Sequence, residues 1–107
     1  MAKERGPVVM LSTVGTEEKA RSLARSLVER NLAACVNILP GATSIYRWKG
    51  EVEEASECVL VIKTTNDNLP AIESLYRTEH PYELPELIEL KISAGKREYL
   101  DWILAGD

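Results

Sequence analysis

Two side chains of this sequence are suited to bind a soft or borderline metal ion: the thiol of Cys35 and the imidazole of His80, the only histidine. Thiolate ligands suit Cu(I), whereas Cu(II) accepts imidazole and carboxylate ligands. Glu79 and Glu83 lie close to His80 in the sequence, so their carboxylates are candidate ligands beside it. Because one imidazole cannot hold an ion alone, a site for copper or another divalent cation is expected only where the fold supplies these partners.

Both side chains also have a structural interpretation. Cys35 and Cys58 lie in apolar stretches, where a cysteine behaves as a small buried hydrophobe. His80 comes at the predicted end of a helix, where a positive charge interacts favourably with the helix dipole. Pro81 and Pro85 stiffen the segment that follows, which suits a rigid connector as well as a binding site.

The position of Cys35 depends on the register of the hairpin that contains it. With uniform pairing, Cys35 lies opposite Thr64, far from Cys58, and a disulfide between the two cysteines is geometrically excluded. Pro40–Gly41 should break the ladder as a bulge or bend, and a one-residue bulge there would bring Cys35 level with Lys63 instead. An ammonium group that close would favour the thiolate form of the cysteine.

The other polar and aromatic groups predict binding or packing rather than catalysis. The hydroxyls of Ser12 and Thr13 have no general base nearby in sequence, and the chain contains no phosphate loop, dinucleotide fingerprint or zinc-type cysteine spacing. We therefore expect no enzyme. Four aromatic residues, Trp48, Tyr82, Tyr99 and Trp102, either line a ligand cleft or pack at a subunit boundary, where aromatic residues are enriched. An acidic run, Glu51, Glu53, Glu54 and Glu57, follows the turn. Alternation puts Glu51, Glu53 and Glu57 of this run on one strand face, which is expected to be solvated.

Hydrophobic periodicity predicts an α/β (α+β) chain of the order β-α-β-β-α-β followed by a short helix. This order is typical of the ferredoxin-like sandwich. The two central strands are unusually long, and a two-stranded arm is marginal in water, so we expect another subunit to cover it. Strands are predicted at residues 8–11, 34–48, 51–65 and 86–92, and helices from Thr16 to Leu32, over residues 69–79, and around residues 99–103.

The length of 107 residues predicts one domain over residues 1–107, with residues 1–7 as a flexible N-terminal segment. A net charge of −4 with dispersed acidic residues gives no basic footprint for nucleic acid. The longest apolar run, residues 58–62, is too short to cross a membrane. No secretory signal pattern follows the basic start, so the expected location is the cytoplasm.

Several motifs together resemble the CutA family of divalent-cation tolerance proteins. The resemblance runs from about Val8 to Trp102, almost the whole chain, in the family's order and spacing. The motifs are LAACVNILPG at 32–41, SIYRWKG at 44–50, IKT at 62–64, HPYE at 80–83 and YLDW at 99–102.

This resemblance implies a cytoplasmic homotrimer of ferredoxin-like subunits with a link to copper and divalent-cation tolerance. It implies metal-related roles for Cys35 and His80, and an intersubunit cleft lined by Trp48, Lys63, Tyr82, Tyr99 and Trp102. Some members have cysteine where this chain has Ser12 and a second histidine where it has Glu79, so two soft or borderline ligands are replaced here.

Two alternatives to metal tolerance remain open from the sequence. The family resembles the trimeric PII signalling proteins in architecture, so the cleft could hold a small anionic metabolite. Lys63 would then supply charge, and Tyr82, Tyr99 and Trp102 would stack on the ligand. The second alternative is a trimeric module that recruits an unidentified partner protein.

Overall fold

The computed structural model describes residues 4–105, which form a four-stranded sheet and three α-helices. Their order is β-α-β-β-α-β plus a final helix, which confirms the predicted ferredoxin-like arrangement. The strands are β1 (Pro7–Val14), β2 (Cys35–Trp48), β3 (Glu51–Thr65) and β4 (Ile88–Lys91). The helices are α1 (Glu17–Glu29), α2 (Leu69–Glu79) and α3 (Arg97–Ala105), with a 3₁₀ turn at Asn66–Asn68 before α2.

The sheet has the strand order β2-β3-β1-β4, and every neighbouring pair is antiparallel. Outside the bulge in β2, residues alternate between its two faces, as the pleat requires. The even-numbered residues of β1 are buried against the core that α1 and α2 complete. The main contributors to this core are Met10, Val14, Leu23, Leu27, Leu60, Ile62, Ile72 and Leu75.

The second face of the sheet carries apolar side chains that the chain itself covers only in part. Val9 pairs with Leu90 and Leu11 pairs with Ile88, so all four lie on this face. Leu90 is 44% exposed and Ile88 is 50% exposed. β4 is shorter than the predicted 86–92, and its apolar residues face away from the α1–α2 core. α3 contacts β1 and β3, and its one buried side chain, Ile103, lies outside that core.

Helix α1 begins and ends through local backbone chemistry. Thr16 caps it as predicted, because its hydroxyl accepts the Lys19 N–H at 3.1 Å. The helix ends at Glu29 instead of Leu32, since Asn31 takes a left-handed conformation with φ of 58°. Leu32 still packs against the core from outside the helix.

The hairpin of β2 and β3 shows the predicted turn and the predicted bulge. Lys49 and Gly50 both have positive φ, which fits the twist that a two-residue hairpin turn requires. The register shifts between Leu39 and Ala42, around Gly41 with φ of 80°. As a result Cys35 pairs with Lys63, as expected for the bulged alternative.

The outer half of this hairpin extends beyond the sheet. β1 pairs only with residues 58–65 of β3, so residues 51–57 pair with β2 alone. We call the outer half, residues 42–57, the hairpin arm.

The described part of the N-terminal segment is held by hydrogen bonds. Gly6 donates its N–H to Asn66 Oδ1 at 2.8 Å, and the Asn66 N–H donates to Gly6 O at 3.1 Å. Arg5 donates to Leu104 O at 2.8 Å and lies 3.4 Å from the Asp67 carboxylate. Residues 1–3 of the segment predicted to be flexible lie outside the described residues.

Candidate functional site

Both ring nitrogens of His80 are hydrogen-bonded inside the protein. Nε2 lies 2.9 Å from Thr13 O, and Nδ1 accepts the Tyr82 N–H at 3.1 Å. A carbonyl only accepts, so Nε2 carries the proton and the ring is neutral. Burial lowers the pKa of His80, against the raising effects of Thr13 O and the Glu57 carboxylate. The ring also packs against Tyr76, with centroids 5.0 Å apart, which fixes it at the end of α2.

Glu57 is a buried carboxylate at the base of the hairpin arm. It is the first residue of β3 beyond the part that pairs with β1, and it is only 8% exposed. Tyr82 donates its hydroxyl to Glu57 Oε2 at 2.7 Å. Burial alone would raise the pKa of Glu57, but hydrogen bonds from Ser44, Tyr82 and Thr13 lower it overall. The bond from Tyr82 therefore connects β3 to the segment after α2.

Glu57 was predicted to lie on a solvated strand face, and for this residue the prediction is wrong. The acidic residues farther out on the arm, Glu51, Glu53 and Glu54, are exposed as predicted. Glu57 differs because Tyr82 and the end of β1 cover it. Its position directly before the apolar run 58–62 was the one sequence signal of burial.

A cleft of about 830 Å³ lies between the hairpin arm and the segment after α2. Trp48 and Tyr82, two of the predicted cleft residues, line it together with Glu83. The ammonium group of Lys49 lies at its edge, 5.6 Å from the centroid of the Trp48 ring and 3.9 Å from Glu83 Oε2.

The other three predicted cleft residues lie elsewhere in the single chain. Lys63 lies near the C-terminal end of β3, where its ammonium group donates a hydrogen bond to Asn37 Oδ1. Tyr99 and Trp102 pair with each other on α3, with ring centroids 5.6 Å apart. None of the three lines the cleft between the arm and residues 82–86.

The four predicted metal ligands do not converge within one chain. Cys35 shares a sheet face with Lys63, whereas His80 packs against Tyr76 on the helix side. The His80 ring contacts Thr13 O, and the level of Thr13 on the sheet lies four residues from that of Cys35. At 3.3 Å per residue, this is a separation of about 13 Å along the strands.

The two predicted carboxylate ligands have basic partners. The Arg30 guanidinium lies 3.1 Å from Glu79 Oε2, and the Lys49 ammonium group lies 3.9 Å from Glu83 Oε2. Across residues 4–105, no three His, Cys, Asp or Glu side chains meet in a metal-binding group. The four residues therefore do not fit an ion within a single chain, and their joint metal role stays a prediction that would require an assembly of chains.

Ser12, which stands where some CutA members have cysteine, is fully buried. Its hydroxyl donates a hydrogen bond to Glu86 O at 2.8 Å. This bond links β1 to the segment before β4. The hydroxyl is committed to this bond.

Comparison with known proteins identifies the family. The family model described as CutA1 divalent ion tolerance protein matches residues 8–105. This chain belongs to the CutA1 family. The divalent-cation tolerance protein CutA of Thermus thermophilus is 54% identical over 95 residues, covering 89% of this chain and 92% of that protein.

A solved CutA1 structure from Thermus thermophilus has a TM-score of 0.88 and 52% identity, covering 91% of this chain and 94% of that one. The chloroplastic Protein CutA of Arabidopsis thaliana is 42% identical, covering 90% of this chain but 53% of that protein. Within residues 4–105 of this CutA1 chain, no helix combines the length and apolar character needed to cross a membrane.

Proposed function

We propose that this chain forms a homotrimeric divalent-cation tolerance protein and binds copper or a related divalent ion through residues of more than one subunit. Membership of the CutA1 family supports the link to divalent cations. The observation that carries the assembly is the hairpin arm, which extends past its own sheet.

The arm exposes an apolar surface that another subunit would cover. Ile45 is 68% exposed and Val52 is 65% exposed, and strand pairing places both on the same face of the arm. Each buried side chain of this size contributes about 1.5–3 kcal/mol. Residues 51–57 also leave their backbone hydrogen-bonding groups unpaired on the side away from β2. A neighbouring chain can satisfy both requirements.

The proposed ligands for the ion are Cys35, Glu79, His80 and Glu83. Cys35 is half-buried on the second sheet face, and the Glu83 side chain is 71% exposed, so these two donors are accessible from outside the chain. His80 would have to give up its bond to Thr13 O or to the Tyr82 N–H before it could bind an ion. We therefore assign the first contact to Cys35 and Glu83, with His80 and Glu79 joining only after local opening.

The test is a competition titration against chelators of known affinity, on the assembled protein, with Cu(I) under anaerobic reducing conditions and separately with Cu(II). Cys35→Ser should weaken Cu(I) binding about tenfold and Glu83→Gln should weaken Cu(II) binding about tenfold, each equivalent to ~1.4 kcal/mol. Glu18→Gln is the matched control, because it removes an exposed carboxylate of α1 outside the proposed set and away from the hairpin arm. Equal affinities in the native protein and in all three variants would contradict this assignment.

We further propose a cytoplasmic location and a binding role without catalysis. Cys35 and Cys58 are both free thiols, which is usual in a reducing compartment. The name of the Arabidopsis relative assigns that protein to the chloroplast, so a fractionation experiment is needed for this chain. Both nitrogens of His80 and the hydroxyl of Ser12 are committed to hydrogen bonds, which leaves no nucleophile–base pair between them.

A further inference from the structure

The cleft beside the hairpin arm already holds one ammonium group of the protein itself. The Nζ atom of Lys49 lies between the Trp48 ring, 5.6 Å away, and Glu83 Oε2, 3.9 Å away. An aromatic face and a carboxylate are the two groups that attract an organic cation. Lys49 comes from the tight turn of the hairpin and its side chain is 72% exposed, so it occupies only the edge of the cleft.

The lining of the cleft favours cations over anions. Three carboxylates, those of Glu57, Glu83 and Glu86, line it, against the two basic groups of Arg47 and Lys49. Glu57 is ionised and nearly buried, so its charge is screened less than that of an exposed carboxylate. Its hydrogen bonds to hydroxyl groups fix its position without neutralising it.

Aromatic rings supply the second half of the site. Tyr46 and Trp48 lie on the same face of the arm as Glu57, and Tyr82 reaches that carboxylate from the opposite wall. Strand alternation puts the side chains of Ile45 and Arg47 on the other face, the one assigned above to the subunit contact, and both residues border the cleft at the edge of the arm.

We propose that this cleft binds a primary alkylammonium group in the place where Lys49 Nζ now lies, between Trp48 and Glu83. The proposal goes beyond divalent-cation binding and does not depend on it. The ammonium could belong to a free amine or to a lysine side chain of a second copy of this chain, since both present the same group on an alkyl stem.

The first test compares three probes of one size: n-butylammonium, butyrate and 1-butanol, each added to the full chain with a chelator present. Fluorescence of Trp48 is followed in a Trp102→Phe background, because these are the two tryptophans of the chain. Saturable quenching by n-butylammonium alone is expected. Saturable binding of butyrate, or no binding of n-butylammonium, would overturn the proposal.

Variants give the second test. Lys49→Ala removes the competing ammonium group and should tighten n-butylammonium binding about fivefold, whereas a site for anions would be weakened by the same change. Glu83→Gln should weaken binding about fivefold, and Glu18→Gln, which removes an exposed carboxylate outside the cleft lining, should leave it unchanged. Equal affinity in the native, Lys49→Ala and Glu83→Gln proteins would overturn the proposal.

The two sources of the ammonium give different results in a sedimentation experiment. If a lysine of a second copy normally occupies the site, saturating n-butylammonium lowers the mass of the assembly. If the ligand is a free amine, the mass stays constant while binding saturates. A failure of both Cu(I) and Cu(II) binding would refute the proposed metal role and leave these probe results unaffected.

Discussion

Replacing Tyr82 by Phe removes one hydrogen bond to the buried Glu57 carboxylate and changes little else. The bond is 2.7 Å long and charge-assisted, and such bonds contribute about 1.5–3 kcal/mol. Ser44 and Thr13, which also lower the pKa of Glu57, are unchanged in the variant. Tyr82 lines the cleft, where water can replace part of the lost bond, so the loss should lie toward the lower end of that range. We therefore expect a loss of about 2 kcal/mol in the free energy of unfolding.

The assay is denaturant unfolding at one fixed chain concentration, because assembly makes apparent stability depend on concentration. Tyr46→Phe is the matched control. Its side chain lies on the same face of the arm but is 45% exposed, and the variant should stay within about 0.5 kcal/mol of the native protein.

The stability deficit of Tyr82→Phe should depend on pH, because it involves the ionised form of Glu57. Hydrogen bonding holds the pKa of Glu57 below its ordinary value of 4.5, so its stabilising contribution is complete above that pH and is lost as pH falls through the lower folded value. Burial, followed by the bond to Glu57, raises the pKa of Tyr82, which therefore remains a donor throughout. The stability deficit of Tyr82→Phe should shrink as Glu57 is protonated. A deficit that stays unchanged from neutral pH to the acid pH at which the native protein's own stability stops falling, or an equal deficit in Tyr46→Phe, would refute this reasoning.

Three further predictions concern the elements that position the cleft. Gly41→Ala should lower the free energy of unfolding by about 1 kcal/mol, because φ is 80° in the bulge. The control Gly6→Ala should be neutral, since an added Cβ there meets no atom within 4 Å. Equal losses for the two variants in denaturant titrations would contradict the assigned bulge. Leu27→Ala should cost about 2–5 kcal/mol in calorimetry or denaturant unfolding, since the side chain is 0% exposed in the core, and a loss below about 1 kcal/mol would contradict that burial. Thr16→Ala removes the cap of α1 and should lower the free energy of unfolding by about 1 kcal/mol. Thr16→Ser keeps the hydroxyl and is the control. Equal stability of the two variants would argue against the cap.

Most of the fold could be predicted because its signals are local. The alternation of apolar residues, the turn at Lys49 and Gly50, and the cap at Thr16 each act within a few residues. The exact end of α1 could not be predicted, because the apolar pattern continues to Leu32 while Asn31 turns the backbone out of the helix. A break at Pro40–Gly41 was predicted, but the residue opposite Cys35 had two alternatives, because strand register depends on contacts along the whole sheet.

The site was harder to predict because it depends on which face each side chain occupies. The register puts Cys35 opposite Lys63, as predicted for a bulged hairpin. It also puts Cys35 on the sheet face away from His80. Glu57 resembled its acidic neighbours in sequence and became buried only because Tyr82 crosses the arm. Trp48 and Tyr82 lie far apart in the sequence, and the long strands of the hairpin bring them into one cleft.

The most direct test of the account is the mass of the native protein by sedimentation equilibrium. Trimer assembly around the exposed hairpin arm predicts about 36 kDa, three times the 11.9 kDa of one chain. The Ile45→Asp, Val52→Asp double variant should shift that mass toward a single chain, because it places charge on the apolar face of the arm. A native mass of 11.9 kDa would contradict the assembly, and with it the proposal that cation ligands come from more than one subunit.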